Sequence, residues 1–398
     1  MVLRVAHIAD QHFNAHSRWE ETLRLLNAAA DEMERRDVNL ITLGGDLFER
    51  STPRPAEIAA AARWVIRLGN IAEVVGVVGN HDPIELLPTL GLFETDNPVT
   101  FYDQPWVHRA HTSEGDVAVM ALPWPQRGSL HAALGDVGTE QVENEARLGL
   151  QSILRGLGVA ADDTELARRV LLGHCMVRGS RVSTGQPLIG MHFEVGLEDL
   201  ALARARAYLL GHVHAHNLWD IDRAPVIMPG APRRTAFGEL EPKGFALVEL
   251  DEGGGATWEF VELPATRMIQ LDEVWFDEHT GITRSIGEIP TIDSLLTLAD
   301  VRDSEVRLRW RVPAEHREAA RIDALQYADE LRAAGAVSVK LEEQVLSTSR
   351  SRTPEVARAT TLPEQLDAFW KSRSDQPEGE RRGRLLGKLA DACVEYRS

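Results

Sequence analysis

The chain of 398 residues carries two cysteines, Cys175 and Cys393. A disulfide framework and a thiolate zinc finger are thereby excluded, and a reducing cytoplasmic setting is implied. No apolar run approaches the roughly 18 to 20 residues that span a bilayer, and no basic and apolar leader precedes the strand-like stretch from Leu3 to Ile8. The reading is a cytoplasmic protein with no membrane partner. A basic excess is also missing: 43 Lys and Arg stand against 61 Asp and Glu, for a net charge of -18. That balance excludes a protein that coats DNA by charge alone. It suits an enzyme that uses carboxylates to hold metals, touches phosphate locally and relies on a partner for part of its grip. Internal repeats and long low-complexity tracts are absent as well.

What is present, over the first ~265 residues, is a series of short apolar runs, each ending in a polar cluster. They are Leu3 to Ala9, Val38 to Leu43, Val74 to Val78, Val117 to Leu122, Val170 to Leu172 and Ala207 to Leu210. Such runs predict buried strands of an α/β protein, with a site at their C-terminal ends. A helix is expected where Trp19, Leu23, Leu26, Ala30 and Met33 share one face, opened by a capping box of Ser17 and Glu20. Pro55 opens a second, to about Leu68.

From Pro264 the composition changes, and a smaller α+β unit is expected over about 266–345. In it Val306, Leu308, Trp310 and Val312 alternate with Arg307, Arg309 and Arg311, so one strand face is a row of arginines. A linker rich in Ser, Thr and Arg follows over 346–360. The segment 361–398 reads as two short amphipathic helices, the first opened by Thr361 and Glu364. They carry Leu366, Phe369, Trp370, Leu385 and Leu389, and two such helices need a surface to dock on.

Five short segments, each after a strand-like run, carry metal-type ligands. They are Asp10-Gln11-His12, Gly45-Asp46-Leu47-Phe48-Glu49, Gly79-Asn80-His81-Asp82, Gly173-His174 and Gly211-His212-Val213-His214. Any one alone is weak. A mixed Asp, Asn and His set without thiolate suits a pair of manganese, iron or zinc ions bridged by a carboxylate. In an extended segment residues i and i+2 point the same way, so Asp10 with His12, and His212 with His214, are expected to face one side. The preceding glycines permit close backbone approach. The remaining histidines, His7, His16 and His216 among them, read as surface or hydrogen-bonded side chains, although His16 and His216 lie near enough to the motifs to line a groove.

In this order the segments resemble the calcineurin-like metallophosphoesterase pattern, and the variant GDLF, GNHD, GH and GHVH resembles the SbcD nuclease family. The likeness extends to the loop Pro229 to Glu239 and to the small unit and tail. It implies a four-layer metallophosphoesterase sandwich over 1–265, flanked by helices, with a capping, DNA-binding domain and a helix pair that binds a coiled-coil SbcC-like ATPase. It implies that Asp10, His12 and His214 hold one metal, that Asn80, His174 and His212 hold the other, and that Asp46 bridges them. His81 is then the non-ligand that stabilises the transition state, with Asp82 orienting it. Also implied are a homodimer built on the early helix, two divalent cations with manganese favoured, and DNA cleavage as a 3′ to 5′ duplex exonuclease and a single-strand endonuclease. Arg307, Arg309, Arg311, Arg233 and Arg234 are the candidate DNA contacts, with Arg178 and Arg181 weaker ones. Gln11, Phe13 and Glu49 depart from the commonest family residues, which puts the role of Glu49 in doubt. Two rivals use the same features: a small-molecule phosphodiesterase or phosphatase, which needs neither cap nor tail, and a non-catalytic DNA clamp, which needs neither an intact ligand set nor His81.

Overall fold

A computed structural model describes residues 2–125, 139–183, 194–274, 276–277, 282–283, 301–314, 317–346, 362–371 and 384. The expected linker and the helix carrying Leu385 and Leu389 lie outside them, as does Thr361.

The six apolar runs are strands of two six-stranded sheets. One sheet is ordered Ala256–Glu262, Gly244–Leu250, Leu3–Ile8, Leu40–Leu43, Glu73–Val77 and Val99–Tyr102. The other runs Asn217–Ile221, Ala224–Met228, Ala207–Gly211, Arg169–His174, Gly115–Leu122 and Trp106–Thr112. Central neighbours pair in parallel, Val5 opposite Leu40 and Ala207 opposite Val170, so their C-terminal ends point the same way within each sheet. Their sequences are continuous apolar runs because both faces of each sheet are covered.

Between the sheets lies a core of Leu3, Val5, Val75, Val119, Leu172, Leu209 and Ile227. A second core joins the first sheet to its helices through Leu26, Ala30, Trp64 and Val65, and a third joins the other sheet to its own helix through Leu154, Leu157 and Ala161. The order is helix, sheet, sheet, helix: the four-layer α/β sandwich of the metallophosphoesterase fold.

The first helix spans Trp19–Arg35 and buries Leu25, Leu26, Ala29, Ala30 and Met33. Its apolar face is spent on its own core. The expected capping box does not form, because the cap residue is Arg18 in a left-handed conformation (φ 53°). The Ser17 N–H closes a turn on the Asn14 carbonyl instead, and Arg18 ties the helix start to Glu305 at 2.6 Å. The second helix, Pro55–Ile71, starts at its proline as expected; Glu57 accepts the N–H groups of Arg54 and Ala15, each at 2.7 Å.

Contacts divide the chain into a first unit of 1–270, 297–307 and 334–339, and a second of 271–296, 308–333 and 340–398. Along Ser304–Pro313 the alternation is as expected: Val306, Leu308, Trp310 and Val312 are buried, while Arg307 and Arg309 are half-buried and Arg311 is exposed. In the second unit, helix Arg317–Ala333 buries Ala320, Ala324, Ala328 and Leu331. A ten-residue helix, Leu362–Lys371, leaves Phe369 exposed and Trp370 half-buried. Among the described residues no helix is long and apolar enough to cross a membrane.

Candidate metal centre

Strands of both sheets deliver the ligand-type residues from their C-terminal ends. Strand Leu3–Ile8 leads to Asp10 and His12, Leu40–Leu43 to Asp46, Glu73–Val77 to Asn80, Arg169–His174 ends on His174, and Ala207–Gly211 leads to His212 and His214. Two groups result: Asp10, His12 and His214, and Asp46, His174 and His212, with the ligand atoms of each group within 4.8 Å of one another. Asn80 joins the second, its Oδ1 lying 3.0 Å from His174 Nε2 and 2.9 Å from His212 Nδ1. Asp46 reaches toward both: its Oδ2 is 3.3 Å from His174 Nε2 and 4.0 Å from His12 Nε2.

The backbone that achieves this is not the extended one expected from i, i+2 spacing. Asp10, His12 and Asp46 sit in the left-handed region (φ 55°, 48° and 53°), and His212 has φ 105°. Asp10 and His12 converge because the chain coils after its strand. Left-handed conformations cost a non-glycine residue free energy and persist where the surroundings fix them. Here the Asp10, His12 and Phe13 N–H groups bond the carbonyls of Gly45, Asp46 and Leu47, locking the two loops side by side. Glycine is required beside them: a Cβ on Gly79 would overlap the Asp46 carboxylate, and one on Gly45, itself at φ 88°, would meet the His174 ring.

Whether these groups fit divalent cations can be read from their hydrogen bonding. The Nδ1–H of His174 donates to the Gly44 carbonyl at 2.7 Å, which turns its Nε2 toward Asn80 Oδ1 and Asp46 Oδ2. His12 and His214 oppose their Nε2 atoms at 2.9 Å. Such an arrangement calls for a cation in the gap, and nitrogen and oxygen donors without sulfur match first-row divalent metals. Burial and these close approaches set the titration behaviour of the cluster. Burial, with Asp46 nearby, pushes Asp10 up to about 6. Burial would also raise Asp46, but the facing His174 holds it well below the usual carboxylate range. His174, against the effect of its burial, is raised to about 9 by Asp46. His214 is driven well below the ordinary histidine range by burial and by His12.

His81 stands beside the cluster without belonging to either group. Its backbone N–H donates to Asp46 Oδ1 at 2.9 Å, and its ring Nδ1 donates to the Glu49 carbonyl at 2.9 Å, which leaves Nε2 available. Its ring centroid is 5.4 Å from that of His12. Asp82 does not orient it. That carboxylate accepts the N–H groups of Phe48 and Gly79, each at 2.9 Å, and so ties the loop of Asp46 to the loop of Asn80. A short side chain one residue after His81 points back into its own turn.

The arginines separate into committed and exposed ones. Arg234 is buried and spends its guanidinium on the carbonyls of Glu239, Glu241, Ala265 and Thr266, so it fastens the loop rather than facing solvent. Arg233 is also buried, its Nε has no hydrogen-bond partner among the described residues, and burial pulls its guanidinium below the ordinary arginine range despite Glu49. Arg307 lies 4.7 Å over the Phe237 ring and Arg309 pairs with Glu342 at 3.2 Å. Arg178 pairs with Glu198 at 3.1 Å, and Arg181 bonds the His216 carbonyl. His216 packs on Trp258 and Phe260. His16 is exposed, its backbone N–H on Asn14 Oδ1.

Two contributors were not legible in the sequence, and a third, Glu49, was named there without a role. Trp124, in the loop after Leu122, lays its ring on His212 at 4.8 Å and 31° and meets His174 edge-on. Lys243, almost fully buried, donates to the His214 carbonyl at 3.2 Å and to Glu239 and Glu241. Glu49 places a carboxylate oxygen 3.3 Å from His12 Nδ1. No local motif marks Trp124 or Lys243, although the tryptophan's position after a buried strand, at the end where the other ligands gather, carried a signal, and Glu49 closes the segment that holds Asp46.

A cluster of metal-type ligands at the strand ends of a four-layer sandwich is the arrangement of a metallophosphoesterase. The family model of the calcineurin-like phosphoesterases matches residues 3–216, and the chain belongs to that family. It is 25% identical over 297 residues to the DNA double-strand break repair protein Mre11 of Methanopyrus kandleri, covering 68% of this chain and 59% of that one. The chain thus spans about three-fifths of that relative's length. It is 20% identical over 291 residues to the SbcD component of the nuclease SbcCD of Staphylococcus saprophyticus, covering 68% and 72%. A dimetal phosphatase from Danio rerio aligns at a TM-score of 0.38 with 13% identity, over 65% of this chain and 98% of that one.

Proposed function

We propose that this chain is the nuclease subunit of an SbcCD-like complex that processes DNA ends, hydrolysing DNA phosphodiesters with two manganese ions. The observation that carries the reading is Asp46, whose carboxylate faces His174 and His12 at once while accepting the N–H of His81. Asp10, His12 and His214 would hold one ion, Asn80, His174 and His212 the other, with Asp46 between. Bound there, the ions would polarise phosphoryl oxygens and lower the pKa of a coordinated water. This chain's own part is positional: left-handed turns aim the ligands, Trp124 covers His212 and His174, and His81 presents Nε2 with its other nitrogen fixed by the Glu49 carbonyl. A protonated Nε2 there can donate to the charge developing on phosphate and to the departing oxygen.

The activities assigned are a 3′ to 5′ exonuclease on duplex ends and an endonuclease on single strands. Residues 266–345 would form the capping domain that contacts DNA through Arg307, Arg309 and Arg311, aided by Arg233. The tail, 361–398, would dock on a coiled-coil ATPase after a linker, and the protein would act as a homodimer in the cytoplasm. A net charge of -18 supports a division of labour in which partners supply much of the grip on DNA.

The test is the manganese-dependent turnover of duplex and single-stranded DNA set against bis-nitrophenyl phosphate, for the wild type and for His81→Ala. The variant should keep manganese affinity and lose about 10²- to 10⁴-fold in DNA turnover. Full nuclease activity in His81→Ala, or hydrolysis of the small ester with none of DNA, refutes the reading.

A further inference from the structure

We infer that Glu49 is a positioning residue that fixes the ring orientation and tautomer of His12, and thereby the affinity of one metal site of the pair. The inference rests on the proposed two-metal reading. His12 is a side chain with two ring nitrogens and one task. Its Nε2 faces His214 Nε2 at 2.9 Å, where the first group of ligand atoms converges. Its Nδ1, on the opposite side of the ring, lies 3.3 Å from Glu49 Oε2. The contact is an ion-pair approach, and because a carboxylate cannot donate, a proton held on this side sits on Nδ1 and leaves the Nε2 lone pair for the metal.

The same residue acts a second time through its backbone, since the Glu49 carbonyl accepts the Nδ1–H of His81 at 2.9 Å. One position therefore sets the tautomers of two histidines that differ in role, with the side chain on the ligand and the main chain on the non-ligand. The acceptors also differ across the centre. His174 leans on the neutral carbonyl of Gly44, whereas His12 leans on a charged carboxylate, the stronger acceptor. Carboxylate backing makes an imidazole a more basic ligand, and loss of such support weakens metal binding about 10- to 100-fold.

The Glu49 side chain also lies near His81 and Arg233. It is 39% exposed while the His12 side chain is 3% exposed, so Glu49 reaches inward from the rim of the site.

The experiment is a calorimetric titration of manganese into the full chain after chelator treatment, for the wild type, Glu49→Gln, Glu49→Ala and Glu49→Met. All four retain the backbone carbonyl that holds His81. In Glu49→Ala, one of two sites should weaken about 10- to 100-fold while the other keeps its wild-type affinity. Glu49→Gln should weaken it less, since an amide oxygen still accepts the N–H. The unchanged second site serves as the internal measure of folding. If alanine lowers both sites together, Glu49→Met, which keeps the length but cannot accept, takes its place. Two wild-type affinities in Glu49→Ala or Glu49→Met overturn the inference and leave the phosphoesterase reading intact. A wild-type chain that takes up no manganese overturns that reading itself.

Discussion

His12 and His214 stand 202 positions apart in the chain and bring their Nε2 atoms to 2.9 Å. A pair of neutral imidazoles gains little from that approach, because at most one hydrogen bond joins them. A divalent ion in reach of both, with Asp10 completing the group, gives each lone pair a partner. The two side chains are therefore expected to behave as one unit toward metal.

Manganese should raise the melting temperature of the chelator-treated protein in a concentration-dependent way, by mass action worth about 2.7 kcal/mol per site at a hundredfold excess over its dissociation constant. His12→Ala and His214→Ala should each remove about half of the manganese-induced shift. The double variant should lose no more than either single one, since both delete the same site. Differential scanning fluorimetry across a manganese series reads this directly, and additive losses would separate the two side chains.

How much of this centre was legible in the sequence follows from where each signal lies. The ligand types and their order were readable because each sits one to four residues after an apolar run, and such runs are strands wherever helices cover both sheet faces. The manner of convergence was not. Extended spacing placed Asp10 and His12 on one side, whereas they meet through left-handed turns whose N–H groups donate to carbonyls of the neighbouring Asp46 loop, a tertiary effect with no local code. The capping box at Ser17 failed for a similar reason, since Arg18 is anchored to Glu305, 287 residues on. Arg234 looked like a free cation beside a metal motif, and four carbonyls that only the folded loop brings together claim it.

His7 provides a test of the scaffold behind the site. It is fully buried in the strand leading to Asp10, its Nε2 3.2 Å from the Leu210 carbonyl of the facing sheet and its Nδ1 3.0 Å from Thr42 Oγ1. Burial outweighs those bonds and lowers its pKa from 6.5 to about 4. The folded state therefore binds this proton less readily than the unfolded chain. Its contribution is fully present above about pH 6.5 and is lost as pH falls toward 4. The loss is on the order of 2 kcal/mol by pH 5. Urea unfolding of the metal-free protein at pH 7 and pH 5 isolates the effect when His7→Leu is carried in parallel, because other titrating groups cancel in the double difference. The variant should start weaker at pH 7, with the Leu210 carbonyl unpaired, and close the gap at pH 5. A gap independent of pH would mean that His7 is not excluded from protonation by its burial.

The arginines allow the proposed DNA contacts to be separated from internal ties in one measurement. Arg311 is exposed on the strand whose alternate residues are core, while Arg234 is buried with all its described bonds to main-chain carbonyls. Each phosphate that a cation neutralises adds about one to the slope of log affinity against log salt, through release of counterions. Arg311→Gln should thus weaken DNA binding about equally across sequences and lower that slope by about 1. Arg234→Gln should leave the slope unchanged and cost about 1 to 3 kcal/mol of folding stability, because it strands buried carbonyls. Fluorescence anisotropy of labelled duplex over a salt series, without divalent metal so that nothing is cut, distinguishes them. An unchanged slope in Arg311→Gln with a reduced one in Arg234→Gln would move the DNA path off the arginine row and onto the loop beside His214.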